Sequence, residues 1–579
     1  MKRLFFWILV LIVFNKSSFA QTQALQLVEN GYSSYKIVIS NIATTVEKKA
    51  ANELQAYIKN ISGYQIPIVT DQQKEIENEI IVGKTKRKLL GVSNSLFSNG
   101  DAISIVTSGS KLLINGGSRK GCLYSVYTFL EDYLGCKMYT KDDTYIPKTK
   151  NISIPFIKRV EHPAFDFRTT FFVDALDEKY CDWHKINYFF EGMGTFAHTF
   201  SQLLPSDLYF KDHPEYFAYI NGKRTPTQLC LSNNKVLTIV KDNLKKQMAA
   251  KPNLKFWSVS PNDVYDYCNC SLCEPKHKRN NGYMGTLLPF VNQIASFFPN
   301  KVITTLAYNQ SAKPPREFIK LRENLLVIYC LSDINNGKPL ANSSDAKAVV
   351  IRDQLSGWKK LTNNIYIWDY IVCFYNSLSP YPNLNTLQPN LKYYKDNNIP
   401  GVFEQGIGNI KSEFSELRTY LVAKLMWNPN LNFNDLINEF LSGFYGDASG
   451  DVRKYIDVIH AEKDKTNDIL NPWENPVFHK DTYLSESNMD RYRLLLETAE
   501  LKTKKKQPYY DRVIRERLAL DFATLEIANI EKGRLQSLSK KVNPSTYKKQ
   551  FIQDMKKTKI PYVNENFRTV ENFNESLKF

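Results

Sequence analysis

The sequence predicts an α/β protein built around a (β/α)8 barrel of the TIM type. A small α/β sandwich domain precedes the barrel and a mainly helical region follows it. Three observations predict this. Between about residues 156 and 430, eight short apolar runs alternate with helical stretches, the rhythm of repeated βα units with right-handed crossovers. Before them, strand-like segments and two amphipathic helices crowd into residues 21–155. After them, residues 431–579 read as helical in their ordered part. The chain has 579 residues, room for three or four units at about 150 residues each. Its 43% hydrophobic and 23% charged composition excludes wholesale disorder and a fibrous fold.

The front domain reads strand, helix, then strands. Residues 35–40 (YKIVIS) form a strand, and residues 44–61 a helix with Ala50, Leu54, Tyr57, Ile58 and Ile61 on one face, stopped by Gly63. Strands follow at 65–70, 79–82, 102–107 and 111–115, a turn at Gly116-Gly117, and a helix at 121–134. The barrel strands are expected at 165–172, 185–190, 229–232, 254–260, 302–308, 325–330, 365–370 and 401–404. A doubly wound open sheet is the structural alternative. Helices are expected at 488–506 and 509–531, with Pro508 breaking between them.

Residues 1–20 predict a cleaved export signal. Lys2 and Arg3 precede an eleven-residue apolar run, and the segment ends in Ser18-Phe19-Ala20. The run is shorter than the roughly 20 residues a membrane span needs. Export to the periplasm, the cell surface or the medium is expected, with no membrane span elsewhere. The net charge is +17, or +14 without Lys2, Arg3 and Lys16. The bases are scattered and no nucleic-acid module is recognisable, so no nucleic-acid partner is expected. No Gly-x-Gly-x-x-Gly or Walker loop is present, and no cofactor is expected. Cys268, Cys270, Cys273 and His277 have a spacing open to a structural zinc, a disulfide-stapled loop or neither.

In a β/α barrel, reactive groups stand where strands end at the C-terminal face. The strand ends here carry Asn262 and Asp263, Tyr308, Tyr329, Trp368-Asp369-Tyr370, and Glu404. Trp257 and His198 lie close by in sequence to the same positions. Carboxylates on separate strands among Tyr and Trp rings suit glycoside hydrolysis, where one acid protonates the leaving oxygen and aromatic faces carry sugar rings. Asn262 and Asp263 also suit holding a substrate acetamide that itself acts as nucleophile.

The segments HPEYFAYINGKR and QLCLSN within 213–233, FWSVSPNDVYDYCNCSLC (256–273), GVFEQG (401–406) and YLVAKLMWNPNLNFNDLINEFLSGFYG (420–446) resemble the bacterial domain of unknown function 4838. Part of that group is glycoside hydrolase family 163, endo-β-N-acetylglucosaminidases acting on complex N-glycans. The front segments AANELQAYIKNISGYQIPIV (50–69) and IIVG (80–83) are similar to the small domain before the barrels of family 20 hexosaminidases and family 67 α-glucuronidases. The resemblance implies a barrel glycosidase acting on a glycan or glycoprotein, with an acetamido-assisted retaining mechanism. It implies Glu404 and Asp263 as the acidic groups, Glu404 as general acid/base and Asn262 with Asp263 on the N-acetyl group. Family 20 enzymes carry Asp-Glu where this chain has Asn262-Asp263. His198, Trp257, Tyr308, Tyr329, Trp368, Asp369 and Tyr370 are the expected substrate contacts. An α-glucuronidase or another exo-glycosidase, and a non-catalytic glycan-binding protein, are the alternative functions.

Overall fold

The computed structural model describes residues 24–87, 100–189, 191–530 and 544–578. The expected export signal lies outside the described residues. The chain divides into two compact units, residues up to 136 together with 146–161, and residues 137–145 together with everything from 162 onward.

The first unit is a six-stranded mixed sheet. Its strand order is Lys158–Glu161, Ile103–Ser108, Lys111–Gly116, Glu79–Val82, Lys36–Ile39 and Ile68–Thr70. Two helices, Thr45–Ser62 and Gly121–Asp132, pack with it. The first has well-marked ends. Thr44 and Glu47 form a reciprocal capping box, and Gly63, at φ 84°, turns the chain out of the helix. Its Ala50, Ala51, Leu54, Tyr57, Ile58 and Ile61 are buried, the stripe that the 3.6-residue period lays down.

The second unit is organised by a curled parallel sheet of seven strands. They are β1 (Phe167–Thr170), β2 (Met193–Thr195), β3 (Phe256–Ser258), β4 (Val302–Ala307), β5 (Leu325–Cys330), β6 (Ile365–Tyr370) and β7 (Gly401–Gln405). Their order is β1-β7-β6-β5-β4-β3-β2, so the first two strands in the chain occupy the two edges. Side chains of all seven, among them Phe167, Thr195, Phe256, Thr304, Ile328, Trp368 and Phe403, line one apolar interior together with Phe189. The sheet therefore curls as a half-barrel of seven strands, with β1 and β2 as its two edges, where the sequence predicts eight.

Two strand assignments from the sequence are corrected. Residues 185–190 supply no ladder strand among the described residues. The helix Glu178–His184 ends at Lys185 in the left-handed conformation (φ 59°), and the chain then passes the edge of β1 as an irregular segment. There Asn187 donates its N–H to the Arg168 carbonyl at 2.7 Å, and its side-chain oxygen accepts the Arg168 N–H at 2.9 Å. Residues 229–232 are not a barrel strand either. Leu229 closes an antiparallel hairpin, Phe217–Ile220 with Lys223–Leu229, and the one parallel strand between β1 and β3 in the chain is the short β2.

Helices follow the staves on the outer side, including Asn234–Ala250, Met284–Phe297, Ala346–Lys359, Leu384–Asp396 and Ser415–Trp427. Beyond them the chain is helical, with Phe433–Tyr445, Ser449–Asp464, Glu486–Thr503 and Tyr509–Ile530 as the main segments. Tyr509–Ile530 is tied back toward the end of β7. Buried Glu516 accepts the Tyr445 hydroxyl at 2.7 Å and the Phe414 N–H at 3.1 Å. No helix among the described residues is long and apolar enough to cross a membrane.

Candidate active site

A cleft of about 830 Å³ opens where β3, β4 and β5 end. Its lining includes Asp263, Tyr265, Tyr308, Asn309, Tyr329, Ser332, Asp333, Lys347, Gln354, Asn471 and Trp473. Strands direct this set. Each parallel strand delivers its following loop to the same face of the sheet, so residues far apart in sequence meet there.

The loop after β3 is braced by its neighbours. Asn262 donates its N–H to Gln228 Oε1 at 3.1 Å, and its carbonyl accepts Gln228 Nε2 at 2.8 Å. The Asn262 side chain accepts the Ser201 N–H at 3.0 Å and donates to the Thr227 carbonyl at 2.9 Å. Its amide is thus engaged with the protein. Asn262 positions the loop instead of reaching into the cleft.

The next residue, Asp263, is an open carboxylate of the cleft, with 64% of its side chain exposed. His198 stands beside it, Nε2 to Oδ1 at 3.7 Å. The other ring nitrogen, Nδ1, donates to the Pro261 carbonyl at 2.6 Å, which fixes the ring and turns Nε2 toward the acid. The backbone turns sharply on both sides of this pair. Ala197 (φ 55°) precedes His198, and Asn309 (φ 48°) follows Tyr308, both in the left-handed region that side chains rarely adopt. The ring of His198 meets Tyr308 edge-on at 5.8 Å. Burial, then the charge of Asp263, pushes the Tyr308 hydroxyl up to about 12. Burial followed by Asp263 also raises the Cys330 thiol.

Behind Trp473, which lines the cleft, stand two buried rings that do not. Trp368 and Tyr370 stack at 5.8 Å, and Tyr370 meets Trp473 at 5.9 Å. Trp473, 43% exposed, also stacks on Phe374 and donates its indole N–H to the Ser332 carbonyl at 3.3 Å. Tyr265 is 76% exposed and offers a second open ring. Tyr329 is buried, its hydroxyl donated to Gln354 at 2.8 Å. Trp368 donates to Gln405 at 2.5 Å, joining the ends of β6 and β7.

A second carboxyl comes from outside the staves. The Asn409 side chain, after β7, donates to the Glu565 carbonyl at 3.1 Å, and Asn564 donates to the Tyr375 carbonyl, after β6, at 3.4 Å. These contacts hold the 561–569 loop over the ends of β6 and β7. Burial pushes Glu565 up to about 6. The Tyr370 hydroxyl, raised chiefly by burial, senses both Asp263 and Glu565.

Besides Asn262, Trp368 and Tyr370, three more expected site residues do not line the cleft. Trp257 is 1% exposed, faces Gly194 of β2 away from the apolar interior, and donates to the Leu254 carbonyl at 3.3 Å, a packing role. Glu404 and Asp369 also leave the cleft, because side chains alternate along a strand. Trp368 and Phe403 face the sheet's apolar interior, so the next residues, Asp369 and Glu404, face the helices. Asp369 accepts the hydroxyl of Tyr394, on the helix Leu384–Asp396, at 2.6 Å. Burial raises the Asp369 carboxyl to about 6, and burial together with Asp369 raises Glu404 well above the usual carboxylate range.

The cysteines gather into one cluster, with a different fourth member from the one that spacing suggests. Cys230 joins Cys268, Cys270 and Cys273, whereas His277 Nε2 is hydrogen-bonded to Thr286 at 2.8 Å.

The family model for the domain of unknown function DUF4838 matches residues 138–457. The chain belongs to this family. No curated protein matches the chain. Among solved structures, a family GH115 4-O-methyl-α-glucuronidase with specificity for decorated arabinogalactans is 11% identical, with 96% of this chain and 79% of that one covered and a TM-score of 0.56. A family 89 glycoside hydrolase from Clostridium perfringens, solved with its substrate GlcNAc-α-1,4-galactose, is 11% identical over 88% of this chain and 65% of that one, with a TM-score of 0.51. These likenesses are of fold. The DUF4838 match contains β1 to β7, Asp263 and His198. Asn471 and Trp473 lie beyond it, so the helical region completes the walls that the DUF4838 segment begins.

Proposed function

We propose that this DUF4838 protein is a glycoside hydrolase whose chemistry is centred on Asp263. One observation carries the reading. An open carboxylate stands in a cleft at the C-terminal ends of parallel strands, beside a fixed imidazole and facing rings suited to stack on sugar. Asp263 donates a proton to the leaving glycosidic oxygen and then takes one from the attacking water. His198 orients it. Tyr265 and Trp473 carry sugar faces, and Glu565 is the second carboxyl that responds to charge developing at the anomeric carbon.

The finer reading is cleavage at β-linked N-acetylglucosamine, as an endo-β-N-acetylglucosaminidase on N-glycans. It rests on the resemblance of the 256–273 and 401–406 segments to the DUF4838 group, part of which is family 163. In that reaction the substrate acetamide attacks the anomeric carbon, and the site needs no protein nucleophile. Tyr308 and Asn309, at the end of β4 next to Asp263, are assigned to hold the acetamide. Export through residues 1–20 would bring the enzyme to extracellular glycans.

Mass spectrometry of a digest of mixed N-glycoproteins and glucuronoxylan tests the substrate class. The expected products are large glycans ending in one N-acetylglucosamine. Free glucuronic acid would replace this reading with that of an α-glucuronidase. Binding without turnover of either substrate would leave a glycan-binding protein.

A further inference from the structure

We propose that Cys230, Cys268, Cys270 and Cys273 form a tetrathiolate site for a structural divalent metal, zinc by preference, which pins the loop carrying Asp263. All four Sγ atoms lie within 4.8 Å of one another, and all four residues are buried. Cys230 Sγ is 3.7 Å from Cys270 Sγ and 3.9 Å from Cys273 Sγ. A disulfide requires about 2.05 Å. A tetrahedron with zinc–sulfur bonds of about 2.3 Å has sulfur–sulfur edges of about 3.8 Å, close to the two distances from Cys230.

The ligands come from separate pieces of chain. Cys230 follows the hairpin strand Lys223–Leu229, Cys268 and Cys270 lie in the loop after β3, and Cys273 directly precedes the helix Glu274–Arg279. Apolar packing between these pieces is slight: among the described residues the cluster adds only Ala218 and the partly buried Ile220.

The surroundings suit thiolates. The Tyr219 N–H points at Cys268 Sγ at 3.3 Å, and the Arg224 guanidinium lies 3.7 Å from it. Cys273 Sγ is 3.2 Å from Ser232 Oγ, which accepts the Lys276 ammonium at 3.1 Å. A zinc ion with four thiolates carries two net negative charges, and Arg224 and Lys276 offset them. Soft sulfur donors in a tetrahedral set select zinc over hard cations such as magnesium or calcium.

The consequence for the cleft runs through two residues. Cys230 lies two positions after Gln228, whose side chain grips Asn262 and also reaches the Val264 carbonyl at 3.4 Å. Fixing Cys230 to Cys268 therefore closes a ring of chain around Asn262, Asp263 and Val264.

The test is metal content of the full mature chain purified without added metal, with thiols counted before and after denaturation. About one zinc per chain is expected. Replacement by cobalt should give the ligand-field bands of tetrahedral tetrathiolate coordination. Cys230→Ser should lose the metal, and Cys122→Ser, a buried cysteine of the first unit, should keep it. If Cys230→Ser does not fold, the cobalt spectrum of the wild-type chain still decides. A metal-free folded chain, whether with four titratable thiols or with disulfides among these cysteines, overturns the proposal. So does undiminished zinc in Cys230→Ser. None of these readings depends on turnover, so their failure is separate from failure of the glycosidase reading.

Discussion

The Nε2 atom of His198 faces Asp263 Oδ1 at 3.7 Å, while Nδ1 of the same ring is held by the Pro261 carbonyl at 2.6 Å. One imidazole therefore connects the base of the loop to its acid. Replacing His198 with Phe keeps a ring against Tyr308 and removes both polar contacts. The expected result is a fall in kcat of about tenfold or more with a smaller change in KM, within the range of general acid–base effects. Steady-state kinetics on a glycan substrate measures it.

Asn262 spends its side chain on Ser201 and Thr227. Asn262→Ala should lower kcat through loss of loop position, and Asn262→Asp, which can still accept the Ser201 N–H, should retain more. If Asn262 held the substrate acetamide directly, KM would rise in both variants.

Trp473 presents an open ring at the cleft wall while stacking on Phe374 and Tyr370. Trp473→Ala should raise KM by roughly tenfold, the scale of one lost aromatic stacking partner at about 0.5–1.5 kcal/mol. Glycan binding followed by calorimetry on an inactive background checks the same loss without turnover.

Asp369 and Glu404 stand in register on β6 and β7, and both carboxyls are raised. Asp369 Oδ1 and both Glu404 oxygens have no hydrogen-bond donor among the described residues. Such a pair keeps a proton in the folded state. A raised carboxyl favours folding fully below its unfolded value near pH 4, and that contribution is lost as pH rises through the folded value, about 6 for Asp369. Glu404→Gln removes the burden of ionising the pair. Its Tm relative to wild type should therefore increase as pH rises from about 4 through about 6. A constant difference across that range would contradict the shared-proton reading.

Much of the sheet was legible in the sequence for a plain physical reason. β4 to β7 are runs of apolar, β-branched and aromatic residues that a buried parallel strand requires. β2 is only Met193-Gly194-Thr195 and offers no such run, so the apolar Leu229-Cys230-Leu231 drew the third strand to the wrong place. Asp263, Tyr308 and Tyr329 were legible as cleft residues because they follow well-marked strands. The facing of Glu404 was readable too, since Phe403 beside it must fill the interior and a period of two then sends Glu404 outward. Trp473 and Glu565 had no signal. Both follow helices far along the chain, and Trp473 reaches the cleft only through folding of the helical region.

Initial rates of glycan release by wild type, Asp263→Asn, Glu565→Gln and Glu404→Gln test the central claim most directly. The account predicts a loss of about 10²-fold or more in Asp263→Asn, a smaller loss in Glu565→Gln, and near wild-type rates in Glu404→Gln. Full activity in Asp263→Asn together with collapse in a folded Glu404→Gln would contradict it and move the chemistry to the β6–β7 pair.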